Sequence, residues 1–93
     1  MAVTVLIPTA LRSYAQDLAS IACEGDTVGA ALHSLTAQHP GLANHLRGKD
    51  GRLRSFVNVY CDDEDIRYLQ GEATVVAPGA VITIVPSIAG GRS

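Results

Sequence analysis

Thr83-Ile84-Val85-Pro86-Ser87-Ile88-Ala89-Gly90-Gly91-Arg92-Ser93 is the stretch on which the fold turns. It opens as a β-branched, apolar run, loses its pattern after Pro86, and reaches two glycines with two further residues behind them. Extended back to Val81, the run reads as a strand, and no other strand of the chain is so continuously apolar. That continuity predicts a central place in the sheet, beside the first strand of the chain. Residues 87–93 then form a flexible tail outside a domain of residues 1–86. Neither glycine has a Cβ, so the backbone at Gly90 and Gly91 can lie flat in a channel too narrow for side chains. Taken alone, the same tail also reads as frayed filler. The rest of the chain bears on the choice.

Upstream, Val3, Val5 and Ile7 alternate with Thr4 and Leu6 until Pro8 ends the first strand. Leu11 to Asp17 is a mixed connection, with Leu11 and Tyr14 expected against the body. Leu18 to Cys23 reads as a second strand with Ile21 and Cys23 on one face. Thr27 is a good helix N-cap, and Val28, Ala31, Leu32 and Leu35 follow at the spacing of one apolar stripe. The helix ends at His39-Pro40-Gly41, because the residue before a proline avoids the helical region. Gly29, unfavourable inside a helix, is expected to mark a close approach to the sheet. Leu42 to Arg47 is a short second helix or turn, and Gly48 to Arg52 a polar loop. Phe56 to Cys61 is a clear strand, Asp62 to Asp65 an acidic turn, and Ile66, Tyr68 and Leu69 are expected to return to the body. Val75-Val76 is a short edge strand or a loop anchor, and Pro78-Gly79 turns the chain into the last strand. One helix of about three turns over one face of a mixed four- or five-stranded sheet is an α+β domain.

Composition narrows the function. With 93 residues, 47% of them apolar, the chain can build one modest core. A net charge of −2 with no run of Lys or Arg argues against nucleic acid or an anionic membrane as partner. No basic leader and no membrane-length apolar stretch is present, so the chain reads as cytoplasmic. Cys23 and Cys61 stand alone, outside any Cys-x-x-Cys pattern, and read as small buried thiols. His33, His39 and His45 recur every six residues, about 600° of helical rotation, and therefore point to different sides. The acids of Asp62 to Asp65 are consecutive, without the alternating ligands of a calcium loop, and read as a solvated turn. No metal site follows from either set. Nor does any Ser/His/Asp set stand in a nucleophile context, and four aromatics leave little material for an enclosed pocket. The chain reads as something acted upon.

With helix, sheet and tail placed, the sequence resembles the ubiquitin-like (β-grasp) sulfur carriers of the ThiS/MoaD family, in particular the slightly longer members that feed cysteine or secondary-metabolite pathways. Ile7-Pro8-Thr9-Ala10-Leu11-Arg12 is similar to the family's Leu-Arg segment after strand one. Gly25-Asp26-Thr27-Val28-Gly29-Ala30-Ala31-Leu32 is similar to its helix start. Val57-Asn58-Val59, the stretch from Pro78-Gly79 to Pro86, and Ile88-Ala89-Gly90-Gly91 resemble its later strands and terminal signature. Each piece is weakly specific, and their order over nearly the whole chain is fairly specific.

The resemblance implies a protein co-substrate rather than an enzyme. It binds no cofactor itself. A partner adenylyltransferase of the ubiquitin-activating type uses ATP to convert the Gly91 carboxylate to an acyl-adenylate, and a sulfur donor then gives a thiocarboxylate for a sulfur-accepting biosynthetic enzyme. One departure matters. Arg92-Ser93 follows Gly91, so the Gly91 carbonyl is an amide, and a partner metalloprotease is expected to cut between Gly91 and Arg92. From alternation, Leu6, Phe56, Tyr60, Thr83 and Val85 are expected to form an apolar partner-binding patch away from the helix, with Ile88 following in the tail. The same fold leaves open the small subunit of molybdopterin synthase, a ubiquitin-like modifier conjugated through Gly91, and a plain interaction module with an inert tail.

Overall fold

The computed structural model describes residues 2–48, 51, 53–54 and 57–86. Five strands make one sheet: β1 (Ala2–Leu6), β2 (Ser20–Glu24), β3 (Val57–Cys61), β4 (Glu64–Asp65) and β5 (Val81–Pro86), in the order β2-β1-β5-β3-β4. β5 runs parallel to β1 and antiparallel to β3. The apolar run that predicted a central strand is therefore paired on both sides. The longer helix, α1 (Val28–Gln38), and the shorter α2 (Ala43–Leu46) complete the α+β architecture.

Alternation builds the core. Val3 and Val5 of β1, Ile21 and Cys23 of β2, Val57 and Val59 of β3, and Ile82 and Ile84 of β5 are all buried. They share one cluster with Val28, Ala31, Leu32 and Leu35 of α1. The helix starts where its cap predicts: Thr27 is extended, and its hydroxyl accepts from the Ala30 N–H at 3.1 Å. Thr27→Ala is expected to cost about 1 kcal/mol, read as a lower urea midpoint with an unchanged slope. At the other end the His39 N–H closes on the Leu35 carbonyl at 2.9 Å before Pro40 diverts the chain.

Several connections depart from the sequence reading. Residues Thr9–Ala15 form a 3-10 helix that buries Leu11 and Ala15. Tyr14 stays 44% exposed and lies over the His45 ring, centroids 4.1 Å apart. Of Ile66, Tyr68 and Leu69 only Ile66 is buried, because the 3-10 turn Ile66–Tyr68 points its other side chains outward. Val75 meets Thr27 in an isolated bridge and is exposed, while Val76 anchors the loop. Gly29 approaches Glu72 rather than the sheet: a Cβ there would stand 3.1 Å from the Glu72 Cβ.

The acidic stretch is a hairpin. Asp62 and Asp63 both take positive φ between Cys61 and its cross-strand partner Glu64, as a two-residue primed turn requires. Asp65 is not solvated. It is buried under Arg67, whose backbone N–H and guanidinium both donate to its carboxylate. Those bonds hold the Asp65 carboxyl below its ordinary range.

Candidate functional site: the outward face of the central strands

Because Ile82 and Ile84 point into the core, Thr83 and Val85 point the other way. Cross-strand register extends their face. Leu6 stands opposite Thr83 across the β1–β5 ladder, and Tyr60 opposite Thr83 across β3–β5. Ser20 flanks Leu6 and Asp65 flanks Tyr60, so one row crosses all five strands. Val85 sits in the next position along β5, beside Asn58.

The face is apolar at its centre and polar at one edge. Leu6 is 37% and Val85 41% exposed, while Thr83 and Tyr60 are half-buried. On the β4 side Arg67 donates to the Asn58 Oδ1 at 2.7 Å while it holds Asp65, so the cation at that edge is already neutralised. The structure brings Leu6, Tyr60, Thr83 and Val85 onto one surface, as alternation predicts. Phe56, Ile88, Gly90, Gly91 and Arg92 lie outside the described residues.

Where β1 and β5 end, the face opens into a groove of about 300 Å³ lined by Leu6, Pro8, Arg12, Thr83, Val85 and Pro86, among others. Pro86 is the last residue of β5, so this groove adjoins the point from which residues 87–93 depart. Sequence reasoning missed Arg12 as part of it. The segment after Pro8 has neither helical nor strand periodicity, and the 3-10 helix that swings Arg12 toward the groove leaves no sequence pattern.

The two thiols stand apart from this surface. Cys23 and Cys61 are free and buried. Burial pushes both thiols up, and the neighbouring Asp62 and Glu64 charges push Cys61 further. Among the described residues no three His, Cys, Asp or Glu side chains gather as a metal site, and no helix is long and apolar enough to cross a membrane.

The sequence profile of the ThiS family matches residues 5–91, a span that includes both glycines. The chain belongs to the ThiS family. It is a sulfur carrier of the CysO type, a protein co-substrate and not an enzyme. The sulfur carrier protein CysO of Mycobacterium tuberculosis is 43% identical over 93 residues, covering 98% of this chain and 100% of that one. The crystal structure of the Amycolatopsis orientalis BexX/CysO complex contains a chain that superposes with a TM-score of 0.87 at 38% identity, covering 97% of this carrier and 100% of that chain. The shared architecture is the β-grasp fold. Small archaeal modifier protein 3 of Haloferax volcanii is 38% identical over 65 residues, 70% of either chain.

Proposed function

We propose that this carrier transports sulfur as a thiocarboxylate on Gly91, formed after Arg92-Ser93 are removed. The observation that carries the reading is the position of β5. The strand leading to the diglycine is locked between β1 and β3, and it ends beside an apolar face. A partner that docks on Leu6, Tyr60, Thr83 and Val85 has the departing tail within reach of its active site. Gly90 and Gly91 have no side chain to obstruct a narrow channel.

The chemistry proceeds in two steps on the partner. A carboxylate oxygen of Gly91 attacks the α-phosphorus of ATP and pyrophosphate leaves, giving the acyl-adenylate. Sulfide then attacks the acyl carbon and AMP leaves, giving the thiocarboxylate. Activation replaces an unreactive carboxylate by an acyl group with a good leaving group. The buried thiols support this route over a cysteine persulfide, since neither Cys23 nor Cys61 offers an accessible thiolate. The CysO chain of Amycolatopsis orientalis is found in complex with BexX, and a sulfur-accepting biosynthetic enzyme is the expected acceptor here. The partners are then an adenylyltransferase, a metalloprotease that trims the tail, and this acceptor.

Similarity to a small archaeal modifier protein favours a second reading, conjugation of Gly91 to lysines of target proteins. Intact-mass and peptide spectra of the chain recovered from its own cells separate the two. A carrier shows a population ending at Gly91 with one oxygen replaced by sulfur. A modifier shows Gly91 in isopeptide linkage to lysine. Recovery of neither species, with Arg92-Ser93 retained throughout, removes both readings.

A further inference from the structure

The groove beside Pro86 carries a charge that an apolar docking face does not need. Leu6 and Val85 supply its apolar floor, and Arg12 forms one wall. The Arg12 Nε donates to the Ile7 carbonyl at 3.0 Å, which fixes the plane of the guanidinium, and among the described residues its terminal nitrogens make no hydrogen bond. Arg47 is clamped on Glu72 and Arg67 on Asp65. Among the described residues no carboxylate pairs with Arg12; Asp17, whose N–H donates to the Arg12 carbonyl at 2.7 Å, is exposed and makes no ion pair with it.

Asp65 lies in the row of Leu6 and Thr83 but is paired with Arg67, and other acids lie toward the opposite end of the sheet. Glu24 stands opposite Ala2, and the Asp62–Asp63 turn follows Cys61, opposite Ile82. The groove is at the end where Leu6 meets Ser20 and Val57 meets Pro86. Along β5, Pro86 lies four residues beyond Ile82, roughly 13 Å at about 3.3 Å each.

We propose that this groove receives an extended, carboxylate-bearing segment of the adenylyltransferase, and that Arg12 pairs with that carboxylate. The proposal rests on the reading of the face as the docking surface for the activating partner. Extended backbone suits an open groove between two strand ends, and a planar guanidinium held at Nε presents its remaining fork to a carboxylate in one orientation. The pair lies at the rim of the apolar patch, so it fixes which way the carrier docks and how fast, while Leu6 and Val85 supply the buried area. Arg12 is thus a positioning residue that orients the tail toward the partner's active site.

The test is titration of the full chain against the adenylyltransferase that thiocarboxylates it, at low and high salt. Arg12→Glu is expected to weaken binding about tenfold at low salt, with the loss shrinking as salt is raised. Arg12→Gln keeps a donor for the Ile7 carbonyl and removes the charge, so it carries the test if Arg12→Glu lowers the melting temperature. It is expected to weaken binding at low salt and leave the melting temperature unchanged. Val85→Asp places a charge on the apolar floor and is expected to weaken binding at every salt concentration. If Val85→Asp weakens binding while both Arg12 variants keep the parental Kd and salt dependence, the acidic-segment proposal is overturned and the docking face stands. If none of the three changes the Kd, both fall. A carrier dimer in sedimentation that Arg12→Glu dissociates makes a second copy the occupant, which also overturns the proposal.

Discussion

Incubated with ATP, sulfide and its adenylyltransferase, the chain as encoded is expected to stay unmodified, while the form ending at Gly91 gains one sulfur in place of one oxygen. The reason is covalent rather than structural. Adenylation needs an ionised oxygen to attack phosphorus, and in the encoded chain the Gly91 carbonyl is bonded to the nitrogen of Arg92. The amide has no such oxygen. Its carbonyl is resonance-stabilised and the C–N bond has partial double-bond character. The difference between the two forms is therefore expected to be all-or-none in an intact-mass measurement. Thiocarboxylation of the untrimmed chain at a comparable rate would remove the proteolytic step from the proposal.

The second large effect is expected at Gly25, in the connection between β2 and the Thr27 cap. A Cβ built there stands 2.6 Å from the Ala31 nitrogen, 2.9 Å from the Ala30 carbonyl carbon and 3.0 Å from the Ala31 Cα. All three are helix backbone, which cannot rotate aside as a side chain can. Gly25→Ala must push α1 off the end of β2. That movement strains two neighbouring bonds, from the Val28 N–H to the Thr74 carbonyl at 3.0 Å and from the Val76 N–H to the Asp26 carbonyl at 2.9 Å. A cost of about 1–3 kcal/mol is expected for overpacking of this kind. In a domain this small that lowers the melting temperature by roughly 4–8 °C for each kcal/mol. Gly41→Ala is the control: its Cβ meets the Tyr14 Cβ at 3.6 Å, an ordinary contact, and stability is expected to change by less than about 0.5 kcal/mol. Equal melting temperatures for the two variants would mean that the close approach at Gly25 does not constrain the fold.

What was legible in the sequence follows from which residues repeat and which do not. The Thr27 cap, the Val28-Ala31-Leu32-Leu35 stripe and the proline after His39 all specify α1, and it forms as Val28–Gln38. The continuous apolar run of β5 predicted a strand paired on both sides, and the alternation of Thr83 and Val85 with Ile82 and Ile84 predicted the outward face. The connections were less legible because tertiary partners decide them. Tyr14 is outside because His45, far along the chain, gives its ring a surface to lie on. Asp65 is inside because Arg67, two residues later, satisfies it. Arg12 entered the groove through a 3-10 helix, whose sequence has no periodicity to read.

The placing of β5 between β1 and β3 has a consequence for synthesis. A nascent chain that has emerged only as far as Gly79 holds two separate hairpins, β1 with β2 and β3 with β4, and no strand ladder joins them. The sheet closes only when Val81–Pro86, the last strand to leave the ribosome, slots into the gap. Closure of the sheet is thereby made a late event, so a product truncated before Val81 lacks Thr83 and Val85 and with them the centre of the outward face.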